Sequence, residues 1–136
     1  MQYPVYYTLD EARTILPKVQ DKILQVIRMQ KNLEVLNTIS IDNEEGNPEM
    51  DLMITKLNMN YYKKLFLYHK YLGELLGLGI VIKDMQQGLI DFYSTFQGRD
   101  IHLCWRMGEK DISFWHEIDE GFAGRQSIEI LERARS

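Results

Sequence analysis

"TLDEARTILPKVQDKILQVIRMQKNLEVLN", from Thr8 to Asn37, decides the fold. Apolar residues recur at Leu9, Ala12, Leu16, Val19, Ile23, Val26 and Leu33, at steps of three and four broken only at Gln30. That is one face of a helix, sustained for about four heptads in the manner of a coiled-coil seam. Thr8 and Glu11 stand at the N-cap and N3 positions of a capping box, and Asp10 and Glu11 suit the positive end of the helix dipole. Pro17 lies inside the seam. It lacks an N–H for the Arg13 carbonyl, so a kink is expected there. The pattern predicts a helix over 9–37, bent near Pro17.

Outward from this helix, "SIDNEEGNPEMD" reads as a polar, acidic linker. Asn47 and Pro48 then suit the N-cap and first turn of a second helix. Its seam is Met50, Ile54, Leu57, Tyr61, Leu65, Tyr68, Leu72 and Leu75, with Gly77 expected at C′ and Leu78 packing back. Two helices of roughly 40 Å joined by a short connection form an antiparallel hairpin. The second half changes period. "GIVIKD", "GLIDFYS", "DIHLCWR" and "DISFWHEI" are strand-like, separated by glycine-bearing turns. The tail "RQSIEILERARS" suits a short helix from Ser127. The predicted class is α+β: a helical hairpin (8–77), an antiparallel β-meander of three to four strands (79–118), and a glycine-rich loop and tail (119–136), in a single domain over 1–136.

Composition limits the function classes. A chain of 136 residues with 45% hydrophobic and 26% charged residues is an ordinary globular one. The net charge of -4 argues against a nucleic-acid partner. The single cysteine, Cys104, forbids an internal disulfide and suits a reducing compartment. The N-terminus lacks the basic and apolar regions of a signal peptide, and "LGELLGLGIVI" is too short to span a bilayer. A soluble cytoplasmic protein with no membrane partner is expected.

Candidate chemistry gathers in "HLCWRMGEKDISFWHEIDEGFAGR", His102 to Arg125. It holds both tryptophans, the cysteine and two of the three histidines. Two-residue turns at Gln97–Gly98 and Gly108–Glu109 predict which face each residue takes. Ile90, Phe92, Ile101, Leu103, Trp105, Ile112, Phe114 and His116 share an apolar face. Asp91, Tyr93, His102, Cys104, Arg106, Ser113, Trp115 and Glu117 share the other. In that register His116 cannot share a metal with His102 and Cys104. No CxxC or HExxH spacing is present, so neither a metal centre nor a cofactor is expected. The alternative metal set is His116 with Asp119 and Glu120, against the plainer reading of a solvated acidic turn. Cys104 beside His102 and Arg106 suggests a thiolate pair, against the commoner buried, inert cysteine. Arg106 facing Asp111, with Asp91 and Tyr93, suggests a charged network. "GFAGR" suggests an anion nest clamped by Arg125 and followed by a helix start. The ligand-binding set is therefore Arg106, His116, Glu117 and Arg125.

These stretches carry a resemblance. "YTLDEARTILPKV", "GLIDF" and "LCWRMGEKDISFWHEIDEGFAGR" resemble the domain of unknown function 2203 family, small prokaryotic proteins of unknown function. The matching positions are Asp91, Phe92, Cys104, Trp105, Arg106, Gly108, Glu109, Trp115, His116, Gly121, Phe122, Gly124 and Arg125. Tyr93 stands where that pattern commonly has proline, and His102 lies outside it. The resemblance implies the same fold, brings no activity, and directs attention to His116, Arg106 and Arg125.

Two functions follow. The first is a helical-hairpin interaction protein, a homo-oligomer (dimer) or the binder of another protein, with Ile23, Val26, Leu57 and Leu65 as contact residues. The second is an anion-binding or metal-binding module around His116 and Gly121–Arg125, with catalysis left open. The two long seams favour the first.

Overall fold

The computed structural model describes residues 4–39, 43 and 46–134. Most of the acidic linker, residues 40–42 and 44–45, and the last two residues lie outside them. Helix α1 is Leu9–Asn37 and α2 is Pro48–Gly77. Strands β1 (Val81–Asp84), β2 (Leu89–Phe96), β3 (Arg99–Arg106), β4 (Phe114–Glu117) and β5 (Gln126–Ser127) form one antiparallel sheet in the order β1-β2-β3-β4-β5. A 3-10 turn (Phe122–Gly124) precedes β5, and a short helix α3 (Glu129–Arg133) follows it. The fold is α+β, with a fifth, two-residue strand beyond the expected meander.

Local chemistry explains the helix starts. Thr8 and Glu11 make the reciprocal capping box. The Asn47 carboxamide accepts from Glu49 and Met50, with Pro48 in the first turn. Helix α1 runs unbroken through Pro17. The C-terminus of α2 differs from expectation. Leu78 is the C-cap, and Gly79, not Gly77, takes the left-handed conformation with φ +79. A Cβ on Gly79 would lie 2.5 Å from Val5 Cβ, so this residue needs both the positive φ and the missing side chain.

All seven apolar residues of the α1 seam are buried. Six of them, from Leu9 to Val26, join Ile90, Phe92, Ile101, Leu103, Trp105, Ile112 and Trp115 in one core. Helix α2 contributes Leu75, with Tyr68, Tyr71 and Leu72 packed against it. Ile23 and Val26 are fully buried in this core, so they cannot carry the intermolecular contact first assigned to them.

The β2–β3 turn follows expectation. Gln97 (φ 52) and Gly98 (φ 76) both take positive φ, and Ile90, Asp91, Phe92 and Tyr93 oppose Trp105, Cys104, Leu103 and His102. The β3–β4 connection does not. A two-residue turn would set Leu103 opposite Phe114; instead Leu103 pairs with Trp115, Cys104 with Phe114 and His102 with His116. Arg106 and Glu109 close a turn, and residues 110–113 then leave the ladder. Arg13 holds this excursion, with Nη2 donating to the Ile112 carbonyl at 2.9 Å and Nε 3.3 Å from Asp111. The one-residue slip puts Trp115 in the core in place of Phe114 and sends His116 to the opposite face. In this register Trp115→Ala should cost about 3–5 kcal/mol in urea unfolding, and Phe114→Ala distinctly less. The two-residue turn would reverse that order.

Candidate metal centre

The slip brings together what the sequence reading had separated. Asp91, Cys104 and His116 occupy neighbouring strands on the face away from the core and are 0%, 1% and 1% exposed. One carboxylate oxygen, the thiol sulfur and one imidazole nitrogen lie within 4.8 Å of one another. An ion bound tetrahedrally to these atom types sets its ligands about 3.3–3.8 Å apart, so small side-chain rotations close the set. With a two-residue turn, Asp91 would belong to a charged network, Cys104 would be an inert buried thiol and His116 would lie on the core face. The exclusion of a shared Cys104–His116 site rested on the two-residue turn and falls with it.

The hydrogen bonds of His116 are informative. Nδ1 lies 2.8 Å from the Glu117 carbonyl, which only accepts, so Nδ1 carries a proton. Nε2 lies 3.0 Å from Asp91 Oδ2, also an acceptor. A neutral imidazole has one N–H. The bond to Glu117 therefore leaves an Nε2 lone pair facing a carboxylate oxygen. A cation between them, proton or metal, removes the repulsion. A metal-ligating histidine commonly donates its other N–H to a backbone carbonyl, as this one does.

The surrounding groups are short of partners. Asp91 Oδ1 and His102 Nε2 are buried without a hydrogen bond. His102 Nδ1 is 3.2 Å from Asp91 Oδ2, and its ring meets His116 edge-on at 5.2 Å. Burial raises the Asp91 pKa, but the hydrogen bond from His102 and the electrostatics of the neighbouring His116 and His102 outweigh it, holding the carboxyl below the usual range. Burial, and then the Asp91 charge, push the Cys104 thiol up to about 11, while Arg125 opposes them. Cys104 is thus a protonated thiol at neutral pH when no cation is bound. The Cys104–His102 thiolate pair fits poorly, because the thiol is protonated, His102 Nδ1 faces Asp91 and Arg106 stacks on Phe122.

The loop after β4 covers this face. Gly121 and Phe122 wall a cavity of about 90 Å³ together with Lys83, Leu89 and the three candidate ligands. Arg125 stacks over Phe114 at 4.1 Å and Phe122 at 4.6 Å, and its Nη2 donates to Glu109 Oε1 at 2.6 Å. The same Glu109 oxygen accepts from the Arg106 amide at 2.6 Å. Glu109 had been read only as a turn residue; here it ties the β3–β4 turn to the covering loop. The amides of Gly124 and Arg125 donate back to Gly121 and Phe122 within the 3-10 turn. Ser127 is in β5, and the α3 N-cap is Ile128, so the expected helix start at Ser127 is displaced.

The residues match a known family. Residues 5–128 fit the family described as Uncharacterized conserved protein (DUF2203). The chain belongs to that family. No curated protein and no solved structure matches it. Of the positions that carry the resemblance, Asp91, Cys104, Glu109, His116, Gly121, Phe122 and Arg125 converge at this centre or its cover.

The other sequence candidates are not among the three candidate ligands. Arg106 is exposed and stacks on Phe122 at 5.2 Å, and Asp111 pairs with Arg13, so the expected Arg106–Asp111 pair is absent. The Glu117 side chain pairs with Arg99 at 2.6 Å on the core side of the sheet; only its carbonyl serves His116. Asp119 and Glu120 are exposed and, among the described residues, not part of the ligand cluster. One sequence signal pointed to the true register. Burying Trp115 gains more than burying His116, and that choice alone sets His116 beside Cys104.

Because Cys104 is buried and its thiol protonated, it should react with a disulfide reagent at pH 8 far more slowly in the folded metal-free protein than after urea unfolding. Equal rates would contradict this burial.

Proposed function

We propose that this chain is a metal-binding protein whose ion is held by Asp91 oxygen, Cys104 sulfur and His116 nitrogen. The observation that carries the reading is His116 Nε2 set 3.0 Å from a buried carboxylate while Nδ1–H is committed to the Glu117 carbonyl. The unpartnered Asp91 Oδ1 supports it. Sulfur, nitrogen and oxygen donors together suit zinc, or cobalt(II) in its place, better than magnesium or calcium. Binding would deprotonate the Cys104 thiol and release a proton.

Chelator-stripped protein titrated with zinc or cobalt(II) should bind one equivalent, with a thiolate charge-transfer band in the cobalt form. Zinc at about 100 times its Kd should stabilise the fold by about 2.7 kcal/mol. Cys104→Ala, Asp91→Asn and His116→Gln should each weaken binding by about 100-fold or more while circular dichroism stays unchanged. Variants that bind as tightly as the wild type would sink the reading.

A second reading concerns self-association, and the outer face of α2 supports it. Leu52, Thr55, Met59, Tyr62, Phe66, His69, Gly73 and Leu76 repeat at steps of three and four, and all are exposed. Leu52, Met59, Tyr62 and Phe66 are 56–67% exposed. Single exposed apolar residues are ordinary, whereas a stripe at coiled-coil spacing fits a second copy of the same helix. This seam is distinct from the Met50-to-Leu75 seam, which is half-buried or buried throughout. Light scattering after size exclusion should give a dimer mass for the wild type and a monomer mass for Met59→Glu/Phe66→Glu. A monomeric wild type at micromolar concentration would remove this reading.

A further inference from the structure

We infer that the ion held by Asp91, Cys104 and His116 keeps a fourth position open toward the cavity beneath Lys83, and that a small anion binds there. This rests on the metal reading above and specifies what the site takes. The donor count is the first argument. Structural tetrahedral sites are closed by four protein ligands, whereas three leave a position for water or another ligand. Among the described residues the cluster supplies three. A further donor on the same face, His102, is set against Asp91 at 3.2 Å and does not line the cavity.

The cavity is the second argument. Its volume of about 90 Å³ adjoins all three ligand residues, and its remaining walls are Lys83, Leu89, Gly121 and Phe122. Gly121 presents no side chain, and a Cβ built there meets nothing within 4 Å. The space holds a few heavy atoms, enough for a hydroxide or the carboxylate-sized head of a larger anion.

Charge is the third. A divalent ion, the Asp91 carboxylate and the Cys104 thiolate sum to zero. Arg125 is neutralised by Glu109 at 2.6 Å. Lys83, which lines the cavity, has a side chain 42% exposed, and its Nζ lies 3.9 Å from Asp91 Oδ2. Once Asp91 is bound to the ion, the Lys83 ammonium loses its counter-charge. Leu89 and Phe122 lower the local dielectric and strengthen its pull on an entering anion.

The test uses the full chain loaded with cobalt(II), whose visible bands report the coordination sphere. Acetate, azide and inorganic phosphate are titrated separately. Saturable band shifts with at least one of them are expected. Lys83→Met should weaken that anion about tenfold while leaving cobalt affinity nearly unchanged, and Lys83→Arg should retain it. Bound cobalt with bands unmoved by all three anions overturns this inference and leaves the metal reading standing. Equal anion affinity in Lys83→Met also overturns it. Failure to bind cobalt at all overturns both.

Discussion

Trp115 packs opposite Leu103, and the rest of the site depends on that pairing. A strand has a period of two, so placing one residue on the core face assigns every neighbour. With Trp115 buried against α1 and the sheet, His116 must lie on the far face with Cys104 and Asp91. The excursion at residues 110–113 absorbs the extra length, and its own apolar residue, Ile112, enters the core. Arg13 holds it in place, so a residue early in α1 helps set the register of a strand about a hundred residues later. The Trp115 indole N–H donates to the Ser127 carbonyl, and β5 pairs with β4 at Trp115 and Phe114. The same residue that aligns the site thereby anchors the loop that covers it.

The two faces of the sheet do different work. The inner face is apolar and closes on α1. The outer face buries a carboxylate, two imidazoles and a thiol, with Asp91 Oδ1 and His102 Nε2 unpartnered. Buried polar groups without partners are costly, and sites where they persist are candidates for function. Here Asp91 sits between His102 and His116, with His102 Nδ1 at 3.2 Å and His116 Nε2 at 3.0 Å from the same carboxylate oxygen. Glu109, Arg125, Phe114 and Phe122 then form a lid of stacked and ion-paired groups.

Helix α2 also has two characters. Its inner seam meets α1, reinforced by the Lys22–Glu74 pair, and reaches the core at Leu75. Its outer stripe is exposed along the whole helix. No described helix is long and apolar enough to cross a membrane. The metal centre and this stripe belong to different parts of the fold, so binding at one and association at the other are separable properties.

By itself, the sequence determined the parts whose physics is local. The period of apolar residues marked both helices, Thr8 and Asn47 marked their starts, and the positive-φ pair Gln97–Gly98 marked a two-residue hairpin. It also bounded the stretch that holds the candidate chemistry, His102 to Arg125. The strand register beyond Arg106 was not local. Gly108 takes a positive φ of 102 as a turn glycine would, yet the connection is longer than the turn. Its length was decided by contacts distant in sequence: Arg13 with the Ile112 carbonyl, Ile112 with the core, and Trp115 with Leu103. The helix end at Gly79 was likewise settled by Val5, seventy-odd residues away. The grouping of Asp91, Cys104 and His116 is therefore a product of tertiary packing, because only competition for the core decides which of Trp115 and His116 faces inward.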